Sequence, residues 1–145
     1  MQIPLFLIPL CIGLGIQILK VIIDFSIEKK LHINYLRRAG GFPSVHSGIS
    51  SSLVTVIGIF QGINSPEFAI AFVFSVLFWY DAINVRYEAG KHAKYINYIS
   101  NELNAVLGLE HEPSLKERLW HTFYEVVGGI IIGFLLTVAL VSIIT

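Results

Sequence analysis

The sequence predicts an all-α protein, a polytopic membrane helix bundle of four transmembrane helices with interfacial helices beside them. Three observations carry this. Of 145 residues, 54% are hydrophobic and only 14% charged, where a soluble domain carries about a quarter charged; mean hydropathy is +0.71. The apolar residues gather into four runs near the ~20 residues that cross a bilayer. Small and hydroxyl residues line one face of two of these runs, as close helix packing in lipid requires. The length suits one domain, 1–145. The lone cysteine, Cys11, sits in an apolar run, so neither a disulfide framework nor a thiolate metal site is expected. The first run has no positive flank and no small-residue cleavage site, and it reads as a retained span.

The first span is Ile3 to Ile23. Gly13, Gln17, Lys20 and Asp24 share one of its faces. Lys20 either faces the protein interior or snorkels to the interface. Residues 26–38 are polar and basic and lie at the membrane surface. The second span runs from about Pro43 to Ile63, with Ser47, Ser51 and Thr55 in one stripe, which makes it the central helix. Asn64-Ser65-Pro66 ends it and starts the third, Glu67 to Val85. Trp79-Tyr80 reads as an interfacial belt. From His92 to Leu109 the apolar spacing predicts an amphipathic helix on the membrane or across the bundle mouth. Pro113-Ser114-Leu115-Lys116-Glu117 reads as a capping box opening the last helix, Leu115 to Ile144. On that helix His121, Glu125, Gly129 and Gly133 fall four apart, a chemical half followed by a Gly-x-x-x-Gly packing surface.

The second span opens at Gly40-Gly41-Phe42-Pro43-Ser44-Val45-His46-Ser47. Two glycines loosen the backbone, and the proline pre-sets the first helical turn. Free N–H groups at a helix start suit a phosphate, and a histidine stands beside them. The same residues also fit a plain Gly-Pro turn into a helix. Four spans bring Lys20, Arg37, His46, Arg86, His121 and Glu125 to one membrane face. All ten Lys and Arg lie on that side and none in the 61–66 turn, which places that face in the cytoplasm by the positive-inside rule.

Gly40-Gly41-Phe42-Pro43-Ser44-Val45-His46-Ser47 resembles the Gly-Gly-Met-Pro-Ser-Ser-His-Ser block of the divergent PAP2 family, membrane proteins related to acid phosphatases and vanadium-dependent haloperoxidases. The stretch from Tyr80 to Gly90 is similar to a second block. Gln17-x-x-Lys20 and His121-Thr122 match two shorter ones, so the resemblance spans nearly the whole chain. The wider superfamily uses Lys-x6-Arg-Pro, Pro-Ser-Gly-His and Ser-Arg-x5-His-x3-Asp. Pro43-Ser44-Val45-His46 is similar to the second, and His121-x3-Glu125 resembles the end of the third. Ser114 and Leu115 stand where its Ser-Arg would be. Lys30-x6-Arg37 has the spacing of the first, with Arg38 in place of proline.

The resemblance implies a PAP2-like core and a metal-independent phosphomonoesterase acting through a phosphohistidine. Its substrate would be a membrane lipid phosphate: phosphatidate, phosphatidylglycerophosphate or a prenyl phosphate. His121 would be the nucleophile, Glu125 its orienting carboxylate and His46 the acid and base. Lys20, Arg37, Arg86 and Ser44 would bind phosphate, supported by Gly41, Ser47 and Asp81. No cofactor, metal or nucleic acid is expected. A non-enzymatic lipid-phosphate binder or transporter is the alternative, and a membrane scaffold a third reading. Four helices leave the site thinly shielded, and Gly58-x-x-x-Gly62 offers a second packing surface, so a homodimer is expected.

Overall fold

The computed structural model describes residues 4–29, 40–107, 114–118 and 120–144. Among these the regular structure is helical: α1 Leu7–Glu28, α2 Val45–Gln61, α3 Pro66–Tyr80, a π-helical segment Asp81–Val85, α4 Arg86–Leu107 and α5 Phe123–Ile144. Helices covering Leu7–Ser26, Pro66–Leu107 and Phe123–Ile144 are long and apolar enough to cross a membrane, and α2 is a shorter apolar helix. At 17 residues, α2 sits at the low end of the ~17–25 that span a bilayer. The protein is an all-α membrane helix bundle.

α2 is the hub, packed against α1, α3 and α5. The small residues explain why. Added Cβ atoms at Gly129 and Gly133 would stand 2.3 Å from the Ser44 carbonyl oxygen and 2.4 Å from that of Gly48. The two helices therefore touch backbone to backbone. Ser51 Oγ donates to the Ile130 carbonyl at 2.8 Å, and Thr137 Oγ1 meets Ser52 Oγ at 2.6 Å. The paired positions advance together along both chains, so α2 and α5 run parallel. α1 crosses the other side of α2, where Ile16 fills the space above Gly48 and Ile49 that above Gly13. Ile8, Ile12, Ile16, Val56 and Val141 form the small apolar core.

Several expectations are corrected. Pro43 precedes the helix instead of opening it: Ser44 is the N-cap, its Oγ accepting the Ser47 N–H at 3.4 Å. Trp79 has a role the sequence does not show: its Nε1 donates to Ser50 Oγ at 2.8 Å and ties α3 to α2. The third span does not end at Val85; the helix runs on through the π segment into α4. α5 begins at Phe123, not Leu115, and Ser114–Glu117 form no capping box. Thr122 and Glu125 form one instead: Glu125 N–H donates to Thr122 Oγ1 at 3.3 Å, and Thr122 N–H to Glu125 Oε2 at 3.0 Å. The Gly58-x-x-x-Gly62 dimer surface is not available as such. Gly58 faces Phe68, and Gly62 lies past the end of α2 at φ 86°. The polar segment 26–38, including Lys30, Arg37 and Arg38, falls largely outside the described residues.

Residues 114–118 run as an extended strap along α4, held by Asn97. Its Nδ2 donates to the Leu115 carbonyl at 2.9 Å and to Glu117 Oε1 at 3.0 Å, and its Oδ1 accepts the Leu115 N–H at 2.8 Å. Gly90 lets the strap approach, and Trp120 stacks edge-on against Tyr87 at 5.2 Å. Asn97→Ala should loosen this strap at a cost of about 1–3 kcal/mol, since three strap groups lose their partner. Limited proteolysis between Ser114 and Trp120 reads it out. Cleavage no faster than in the wild type would show that Asn97 does not hold the strap.

Candidate active site

The site forms where α2 and α5 begin, and the backbone builds it. Ser44 N–H donates to the Glu125 carbonyl at 2.9 Å, locking the two helix starts together. His121 stands just before α5, and its backbone N–H donates to the Ala82 carbonyl at 3.1 Å. A π turn shifts the helical bonding by one residue: the Arg86 N–H bonds Asp81 O, while Ala82 O serves His121. The irregular turn thus anchors the histidine to a second helix.

The His121 imidazole is 5% exposed, and its Nδ1 lies 3.0 Å from Glu125 Oε2. That carboxylate oxygen also takes the Thr122 N–H, and Oε1 faces Arg118 Nη2 at 3.5 Å. Glu125 is therefore held in place through both carboxylate oxygens. As an acceptor it assigns the imidazole proton to Nδ1, which leaves Nε2 with its lone pair.

Lys20 is 3% exposed, so it does not snorkel. Its Nζ donates to the Gly40 carbonyl. Gly41, at φ +97°, would place a Cβ 3.0 Å from Lys20 Cε. Only glycine both adopts that backbone and leaves room for the lysine. His46 is exposed at the first turn of α2, within the fields of Arg86 and Lys20. His46 and Lys20 both act on His121 as well. Arg86 Nε pairs with Asp81 Oδ2 at 2.9 Å. The structure thus brings Lys20, His46, Arg86, His121 and Glu125 together. Ser44 is corrected from phosphate ligand to structural cap: it is fully buried, its N–H engaged by Glu125 and its Oγ by Ser47. Ser47 is buried in the same contact. Arg37 lies outside the described residues.

The match to the divergent PAP2 family model covers residues 1–136. The chain belongs to the divergent PAP2 family. It is similar to the uncharacterized membrane protein YuiD of Bacillus subtilis (strain 168), 34% identical over 134 residues, 86% of this chain and 85% of the relative. No solved structure shows significant similarity to it. In this divergent PAP2 protein, Arg118 is a cation that motif reasoning missed. It sits three residues before His121, where no superfamily motif calls for one. Its Nη2 nevertheless lies 3.5 Å from Glu125 Oε1.

His121 lies outside the spans. Burial pushes its pKa below the ordinary imidazole value, with the Glu125 hydrogen bond opposing that push. A nucleophilic imidazole must be neutral, which it is above its pKa. Its reactive form therefore persists on the acid side of about 6.5 and is lost as pH falls through the lowered value. Glu125→Gln removes a group that raises this pKa and keeps a residue that a capping box accepts. The acid limb of kcat/KM should then move to still lower pH while its plateau drops. A limb that moves upward would mean that Glu125 does not act on the titrating group.

Proposed function

We propose that the protein hydrolyses a lipid phosphomonoester through a phosphohistidine. The observation that carries this is the Nδ1–Glu125 contact, because it presents Nε2 of His121 as a nucleophile. Nε2 attacks phosphorus, and the N–P bond forms as the bond to the lipid oxygen breaks. The leaving alkoxide takes a proton from His46. Water then attacks the phosphohistidine and gives its proton to His46. The N–P bond breaks, and orthophosphate leaves. Lys20 and Arg86 stabilise the phosphoryl oxygens, with Arg118 facing Glu125 and helping to hold it in place.

One observation favours the alternative, a lipid-phosphate binder without turnover: Arg86 is already paired with Asp81, and Leu115 stands where the superfamily motif has arginine. Orthophosphate release from a panel of lipid phosphates by the purified protein separates the two. The enzyme releases phosphate and is inhibited by vanadate, a mimic of the five-coordinate transition state. Release from none of the lipids would leave the binder. The site face is proposed to be cytoplasmic, on the distribution of Lys and Arg. Cysteines placed at Ser65 and Ser100 in a Cys11→Ser background report on it, and outside label reaching position 100 would reverse the assignment.

A further inference from the structure

Two grooves run down α2, and one shares a face with a site histidine. His46, Ser50, Leu53 and Ile57 fall at i, i+4, i+7 and i+11, one stripe of the helix. Below His46 this stripe faces α3 across a groove of about 460 Å³, whose far wall includes Ala71, Phe74 and Phe78. That volume is in the ~300–1,000 Å³ range of ligand clefts. The polar groups at its top are already satisfied. Ser50 Oγ accepts from Trp79 and donates to the Ser47 carbonyl, and Ser75 Oγ donates to the Ser50 carbonyl. Apart from Glu67 at the far end of the groove, what remains to a guest is hydrocarbon surface. From Ser50 to Ile57 the groove descends about 10 Å along α2, and His46 stands one turn above it, together reaching roughly one leaflet of a ~30 Å hydrocarbon core.

The second groove, about 560 Å³, lies among α2, α3 and α5 and is lined by Val54, Thr55, Gly58, Phe68, Trp79 and Phe134. It is larger, but its α2 residues point away from the His46 stripe.

We propose that the α2–α3 groove beneath His46 holds the hydrocarbon chain of the lipid phosphate. The inference rests on the reading of the site given above, and the chemistry selects the groove. His46 gives its proton to the leaving oxygen, which is the atom that carries the lipid. The chain must therefore depart from the His46 side of the phosphorus, and the groove on that side is the one below His46. Contacts along the chain, remote from the reacting bond, then contribute to orienting the phosphate.

The test uses phosphatidate with a photoactivatable diazirine within one acyl chain, bound to the full-length protein in phosphatidylcholine nanodiscs. Adducts are expected mainly at Leu53, Ile57 and Phe74, displaced by unlabelled phosphatidate and not by extra phosphatidylcholine. Equal labelling of Phe134 and Val138, or displacement by phosphatidylcholine, would overturn the proposal. So would disulfide-linked dimers through a Leu53→Cys variant, which would put a second copy in the groove. A kinetic arm follows. Leu53→Trp should lower kcat/KM for long-chain phosphatidate about tenfold or more while leaving a short-chain phosphatidate near the wild-type value. Val54→Trp in the other groove should change neither. Loss on both substrates alike, or on neither, counts against the groove. Adducts at Leu53 in a protein that releases no phosphate would uphold the groove and remove the hydrolase.

Discussion

On the proposed mechanism, His121→Ala should lower phosphate release by at least about 10³-fold while the protein still folds. The magnitude follows from the role: without Nε2 no phosphohistidine forms, and water must attack the ester directly. The fold survives because the capping box on α5 is made by Thr122 and Glu125, and the His121 backbone bond to Ala82 needs no side chain. His46→Ala behaves differently. General acid catalysis contributes roughly 10²–10⁴-fold, and less when the leaving group is already acidic. Its loss should be large on a lipid phosphate and small on an aryl phosphate. Measuring both substrates with both variants separates nucleophile from acid. Near-wild-type turnover by His121→Ala would move the nucleophile elsewhere, and equal losses on the two esters by His46→Ala would remove its role as acid.

Gly129→Leu disrupts the bundle. Its first side-chain carbon alone would lie 2.3 Å from the Ser44 carbonyl oxygen. Backbone cannot rotate away as a side chain can, so α2 and α5 must separate. Overpacking of this kind costs about 1–3 kcal/mol even when the surroundings yield, and Gly129→Ala already meets that contact. Separation also breaks the bond from Ser44 N–H to the Glu125 carbonyl, so activity falls with stability. Gly15→Ala is the control, because nothing stands within 4 Å of its new carbon. Thermal unfolding in mild detergent should rank the three: Gly15→Ala like wild type, Gly129→Ala lower, Gly129→Leu lowest or not recovered. A Gly129→Leu protein that melts with the wild type would mean that the two helices are not in contact there.

Much of this was legible in the sequence. Hydropathy marks the four apolar helices, because length and apolarity are local properties. The four-residue step from His121 to Glu125 predicts a contact that exists, although not on the helix assumed for it. The strap was not legible. Ser114-x-x-Glu117 is a sound capping signal, but the tertiary bonds made by Asn97 and Ala82 hold the chain extended there. The true box, Thr122-x-x-Glu125, is also present in the sequence, but the same carboxylate is equally well spaced for His121 and serves both. The junction at Arg86 misled for another reason. Hydropathy falls there while helix propensity does not, so the end of an apolar stretch looked like the end of a helix. The bond from Trp79 to Ser50 was not legible either, because its partner is distant in sequence.

Packing α2 and α5 side by side in the same direction has an electrostatic result. Each helix start carries about half a positive elementary charge from its aligned peptide dipoles. Two parallel starts joined through Ser44 and Glu125 set these half-charges next to each other, an arrangement the dipoles themselves disfavour. A dianionic phosphate at their shared end relieves the repulsion, and the buried Glu125 carboxylate relieves part of it without a ligand. This attraction belongs to the main chain and has no codon of its own. Replacing Lys20 or Arg86 can weaken the hold on an anion, but only unwinding a helix end removes the rest.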